Sequence, residues 1–209
     1  MSSIQTVIFD YGAVIFDIDF KRTIQAFKDL GIADADEIFG HLSQHQVFDE
    51  FDRGNITPAE FRTELRKWIN QPVNDAQIDA AWNELLIGIP EGKLSLLARV
   101  KSKYTTFLLS NNNMIHYDWI QAYLKRECQL DSIDVYFRKT YYSQFMGMRK
   151  PDAIIFETVL KEQQLNPATT LFIDDSPQHI KTAASLGIQT LHLLHIDLLA
   201  PELKKLGVL

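Results

Sequence analysis

The chain has a single cysteine, Cys128, so no intrachain disulfide can form, and nothing points to an oxidising compartment. No apolar run is long enough to span a bilayer, and residues 1–6 lack the basic-then-apolar pattern of a signal peptide. Basic blocks are missing too. Lysines and arginines number 21 against 27 acids, and the formal charge of −6 argues against a general nucleic-acid binder. An anionic small substrate stays open, because a bound cation inverts the local field. There is no internal repeat and no low-complexity segment. These absences leave a cytoplasmic globular protein, monomer or small homo-oligomer, away from membranes and nucleic acid. Its 209 residues suffice for one large domain, or for a core with a smaller insert.

Short apolar runs at Gln5 to Phe9, Thr105 to Leu109, Leu171 to Ile173 and Gln189 to Leu194 read as buried strands, with Lys139 to Tyr142 a weaker one. Helical stripes lie between them: Leu94, Leu97 and Ala98; Ile120, Tyr123 and Leu124; Ile155, Phe156 and Val159. Alternating buried strands and helices predict an α/β fold, a parallel sheet covered on both faces. Such sheets bind ligands beyond the carboxyl ends of their strands.

From Ile18 to Leu86 the alternation stops, with helical patterns and no convincing strand. Phe20 to Leu30 runs into Gly31, a fitting stop. Thr57, Pro58 and Glu60 spell a capped helix start before Phe61, Leu65, Trp68 and Ile69, and Asn74 opens another. The division expected is a core of residues 1–17 and 88–209 with a helical cap over 18–87, returning through Gly88, Pro90 and Gly92.

The strand-end rule then selects a set. Asp10 follows the first strand, Ser110 and Asn111 the second, Lys150 the weak one before a helix expected from Pro151, and Asp174 and Asp175 the fourth. Each is ordinary alone, as a cap, a turn or a surface lysine. Together they suit phosphoryl transfer. Asp10 can attack phosphorus and split hydrolysis into two easier steps. Oxygen ligands from Asp10 and Asp175 suit Mg²⁺. Ser110, Asn111, Lys150 and backbone N–H groups of the loop after Asp10, at Tyr11 and Gly12, would hold the phosphate oxygens.

The segments "VIFDYGAVIFD", "LLSNNN", "GMRKP" and "FIDDSPQHIKTAASLGI" occur in the order found in the haloacid dehalogenase-like hydrolase superfamily, which the chain resembles over essentially its whole length. The resemblance implies a Rossmann-like core and a C1-type helical cap. "FDYGAVIFDIDF" and "FDEFDRGNITPAEF" look like the branch of bacterial α-D-glucose-1-phosphate phosphatases and epoxide-hydrolase N-terminal phosphatase domains. It implies Asp10 as nucleophile and metal ligand, Ser110 and Lys150 as phosphate ligands, the Gly12 carbonyl and Asp175 as further metal ligands, and Asp174 beside them. The function expected is a Mg²⁺-dependent phosphatase of small phosphorylated metabolites, such as a hexose 1-phosphate.

Two departures from the superfamily pattern stand out. Gly12 occupies the position where an acid/base aspartate is usual, and His179 the position where Asn or Asp is common. His179 reads first as a cap-region side chain of its helix and second as a substitute proton carrier, with Asp17 as another candidate for that role. His41, His45 and His116 have no metal-like spacing and read as structural or surface residues. The alternatives are a metal-independent 2-haloacid dehalogenase, which has no use for paired acids, and a non-catalytic binding protein, favoured only by Gly12.

Overall fold

A computed structural model describes residues 3–40 and 45–209. Strands β1 (Thr6–Phe9), β4 (Thr105–Ser110), β5 (Lys139–Tyr142), β6 (Thr170–Asp174) and β7 (Gln189–His192) form one parallel sheet in the order β5-β4-β1-β6-β7. Two further strands, β2 (Asp17–Ile18) and β3 (Leu86–Gly88), form a separate antiparallel pair. Because alternate side chains of a strand face opposite ways, Val7, Phe9, Leu108, Leu171 and Ile173 build one core. Ile8, Phe107, Leu109 and Phe172 build the other.

Helices α6 (Lys93–Lys101), α7 (Met114–Glu127) and α11 (Leu199–Lys205) cover the first face with Leu97, Leu124 and Leu203. On the second lie α9 (Ala153–Glu162) and α10 (Pro177–Ser185), through Phe156, Val159 and Ala183. A short α8 (Ser143–Met146) follows β5 directly. Central β1 lies where the strand order reverses, between β4 and β6, the usual place for a ligand crevice.

Between β2 and β3 run α1 (Phe20–Asp29), α2 (Ala35–Gly40), α3 (Gln46–Asp52), α4 (Pro58–Arg66) and α5 (Asp75–Asn83). Their core is aromatic: Phe27 stacks on Phe39 at 4.3 Å, Phe51 on Phe61 at 4.0 Å and Phe48 on Trp82 at 5.5 Å between ring centroids. Thr57 and Asn74 cap α4 and α5 with reciprocal capping boxes. Gly54, at φ +71°, turns the chain after α3 so tightly that a Cβ there would lie 2.3 Å from the Gln144 carbonyl oxygen of α8.

Three expectations need correction. The insert is bounded by strands after all, since Asp17 pairs with Gly88 and Ile18 with Leu86. Helix α9 begins at Ala153, not Pro151, because Asn111 already holds both backbone polar groups of Lys150 and Asp152 serves as the extended N-cap. The buried arc of α6 runs through Leu96, Leu97 and Val100, which leaves Ala98 facing solvent.

Candidate active site

Four strands deliver their ends to one place. Asp10 follows β1, Ser110 ends β4, Asp174 ends β6 with Asp175 next, and the segment after β5 and α8 brings in Lys150. Lys150 has no exposed surface. Its Nζ lies 2.8 Å from Asp10 Oδ1 and donates to Asp174 Oδ2 at 2.7 Å. The Asn111 side chain straps it in place, accepting from its N–H at 2.9 Å and donating to its carbonyl at 2.8 Å. Ser143 fastens the same region, accepting from Asn112 N–H and donating to Asn112 O, each at 2.9 Å.

Asp174 is fully occupied by protein. Its Oδ1 accepts from Ser176 N–H at 2.8 Å and lies 2.9 Å from His179 Nδ1. Burial alone would raise its pKa, but the Lys150 ammonium and His179 outweigh that and hold it below the usual range. Burial would likewise strip Lys150 of its proton, and Asp10 and Asp174 more than compensate, keeping it charged. Asp10 is different. Burial, reinforced by Asp174 and Asp175 and only partly opposed by Lys150, pushes it up to about 8. Asp175 also moves up, through burial and Asp174.

Oxygens of Asp10, Asp174 and Asp175 lie within 4.8 Å of one another. Three acids crowd one ammonium, and burial first, with repulsion between the acids added, raises Asp10 and Asp175. A hard divalent cation with oxygen preference fits this donor set. Asp10 and Asp175 have the freer oxygens, whereas Asp174 is committed to Lys150, Ser176 and His179. Burial lowers the pKa of His179 despite its bond to Asp174, which fits a neutral ring giving its Nδ1 proton to that carboxylate.

After Asp10 the chain folds back on itself. The Tyr11 carbonyl accepts from Ile15 N–H at 2.8 Å and Phe16 N–H at 2.9 Å, and Ala13 N–H donates to Phe16 O at 2.8 Å. This bridge engages neither the N–H nor the carbonyl of Gly12. A Cβ at Gly12 would meet Ile18 Cδ1 at 3.3 Å, a movable side-chain end, and no positive φ is involved. The backbone therefore does not enforce the missing side chain.

Above this floor lies a cavity of about 540 Å³, walled by Asp10, Gly12, Ser110, Asp175 and His179 below and by Phe20, Phe39, Phe48 and Trp82 of the insert above. Asp17, in β2, does not line it. His116 does, but as a buried ring stacked 4.9 Å from Trp82 and pushed down to about 4 by burial, so it stays neutral. His45 precedes α3 and packs its ring against Phe48 and Trp68. His41 lies outside the described residues.

Sequence reasoning passed over Asp52 and Arg149, which also face the cavity. Arg149 reaches up from the residue before Lys150 to Asp49 at 3.1 Å and Asp52 at 3.4 Å, both on α3. Arg53, capping α3, reaches down to Asp152 at 2.8 Å. The "DRG" tripeptide at 52–54 offered a faint signal, an acid and a base before a turn glycine.

Comparison with known proteins agrees with the geometry. A curated relative, the D-ribitol-5-phosphate phosphatase of Bacteroides thetaiotaomicron, is 30% identical over 187 residues, 90% of each chain. A HAD family enzyme from the same organism, crystallised as an aspartate-to-alanine mutant with magnesium and inorganic phosphate, superposes with a TM-score of 0.84 at 38% identity, covering 91% of this chain and 94% of that one. A predicted HAD-like hydrolase from Porphyromonas gingivalis gives a TM-score of 0.85 at 29% identity, over 99% and 98% of the two chains. The model of the haloacid dehalogenase-like hydrolases matches residues 4–187. With its motif residues gathered at the strand ends of the matching fold, this chain belongs to the haloacid dehalogenase-like hydrolase family.

Proposed function

We propose that the chain is a Mg²⁺-dependent phosphatase of small phosphorylated metabolites, with sugar and polyol phosphates, including hexose 1-phosphates, as its substrate class. The observation that carries this reading is the buried Lys150 ammonium held between Asp10 and Asp174, directly behind a cavity that Asp10 and Asp175 line. Asp10, Asp175 and the Gly12 carbonyl would hold Mg²⁺, which would supply the positive charge that offsets repulsion between a carboxylate nucleophile and a phosphate dianion. Asp10 attacks phosphorus, and the ester oxygen departs on the far side to leave an aspartyl-phosphate that water then hydrolyses. Lys150, Ser110 Oγ and the N–H groups of Tyr11 and Gly12 hold the phosphate oxygens as their charge shifts. Asn111 acts through Lys150, whose backbone it fixes. Residues 18–87 act as a cap that shields the reaction from bulk water.

The activity and the crystal contents of the relatives support this reading, as does a cavity of metabolite size. A dehalogenase would attack carbon without a metal, and the three clustered acids would serve nothing. The test is phosphate release from a panel of sugar, polyol and nucleoside phosphates with and without Mg²⁺. Activity should need the cation, return after EDTA treatment when Mg²⁺ is restored, and vanish in folded Asp10→Asn. Full turnover by that variant would remove the mechanism.

A further inference from the structure

The reaction needs a proton donor for the departing oxygen, and the usual place for one is empty at Gly12. Of the two substitutes suggested by sequence, Asp17 lies off the cavity, and the Nδ1 of His179 is engaged with Asp174. A third acid stands on the opposite wall. Asp52 closes α3 and lines the cavity shared with Asp10, with 19% of its side chain still accessible. An in-line displacement expels its leaving group away from the nucleophile. With Asp10 on the floor, the departing oxygen therefore points toward the insert, the element that carries Asp52.

We propose that Asp52 is the general acid that protonates the leaving group, delivered by the insert in place of the side chain missing at Gly12. This rests on the phosphatase reading. In the first step an Asp10 oxygen bonds to phosphorus and the phosphorus–oxygen ester bond breaks. The ester electron pair stays on the departing oxygen, which takes the Asp52 proton and leaves as an alcohol. In the second step water attacks phosphorus, gives a proton back to the Asp52 carboxylate, and displaces the Asp10 oxygen as inorganic phosphate forms. Asp10 and Asp52 both return to their starting states.

The surroundings of Asp52 suit both halves. Burial pushes its carboxyl up to about 6, and Asp49 on the same helix adds to the rise. Arg149 at 3.4 Å, the Asn113 amide at 3.4 Å and Arg53 pull it down and keep it from becoming permanently protonated. His116, beside Asn113 on α7, is neutral and adds no charge. A carboxyl poised near the working pH can serve as acid and then as base.

The experiment measures kcat/KM for substituted phenyl phosphates whose leaving-group pKa runs from about 7 to about 10, with saturating Mg²⁺. A nitrophenolate departs without help, whereas phenolate itself benefits from a proton. Asp52→Asn should lose about 10²-fold at the high-pKa end and severalfold at the low end, steepening the dependence on leaving-group pKa. Asp49→Asn, which disturbs the same ion pairs from outside the cavity, should lower the whole series evenly. In the wild type, the ratio of phenyl to nitrophenyl rates should fall as pH rises through about 6, a reading that survives even if Asp52→Asn folds poorly. Parallel losses in both variants with a pH-independent ratio would overturn the role of Asp52 and leave the phosphatase reading standing. No hydrolysis by the wild type across the series would overturn both.

Discussion

Replacing Lys150 with methionine keeps the length and bulk of the side chain and removes one charge. That charge is an ammonium among three carboxylates, enclosed on all sides and 2.7–2.8 Å from two of them. Breaking a buried ion pair by removing one partner costs about 3–5 kcal/mol, because the remaining charge is stranded. In a domain of this size each kcal/mol shifts Tm by about 2–4 °C, so Lys150→Met should melt about 6–20 °C lower in EDTA at pH 8. Two conditions should shrink the deficit. A cation at about 100 times its Kd adds about 2.7 kcal/mol to any protein that binds it only when folded, and the variant should take up Mg²⁺ with less repulsion to overcome from its own lost lysine's charge. Acid should help as well, since protonation of Asp10, whose pKa rises further once Lys150 no longer lowers it, relieves the crowding. Differential scanning calorimetry of both proteins, with EDTA or Mg²⁺ at pH 5 and 8, reads all four corners. A drop under about 2 °C in EDTA at pH 8 would refute the claim that this lysine balances the site.

The wild-type apoprotein should itself respond to pH. Asp10 titrates near 8 when folded against 3.8 for the free carboxyl, so its contribution is complete below about pH 4 and is lost as pH rises through about 8. Asp174, whose pKa is lowered, acts in the opposite sense, stabilising above about pH 4 and losing that effect in acid. Urea midpoints in EDTA should therefore decline from pH 5 to pH 8, with Mg²⁺ flattening the decline; an EDTA curve rising over that range would contradict it. Gly54→Ala should cost about 1–3 kcal/mol, because it forces a side chain onto a left-handed backbone pressed against the Gln144 carbonyl. An unchanged melting temperature would show that the turn does not bear on α8.

Legibility in the sequence followed the range of the forces involved. The central strands β1, β4 and β6 were visible because burial on both faces makes continuous apolar runs, the partly exposed edge strands β5 and β7 less so, and the boundaries of all five hold to within a few residues. Asp10, Ser110, Lys150 and Asp175 were visible because a parallel sheet dictates where a ligand sits. The β2–β3 pair was not, since strands of two and three residues carry no period. Asp174 read as one half of a metal-binding pair, yet its contacts commit it to Lys150 and His179, partners that only the folded chain reveals. Asp52 was the hardest. On α3 it looks like any solvated acid, and its burial depends on Arg149, nearly a hundred residues later.

The ion pairs that join α3 to the core grip Arg149 and Asp152, the residues on either side of the Lys150–Pro151 dipeptide. The Arg53–Asp152 and Arg149–Asp49 pairs are partly exposed and each worth about 0–1 kcal/mol, and the Arg149–Asp52 contact is long at 3.4 Å. Such a fastening works like a buckle with several light teeth: it fixes register firmly when shut, yet no single tooth resists opening. Because the strap runs through Lys150, proposed above as a phosphate ligand, lifting α3 would slacken that grip at the moment an exit opens. Release of inorganic phosphate and opening of the roof would then be one motion, and raising the ionic strength, which loosens the teeth, would speed turnover wherever product departure sets its pace.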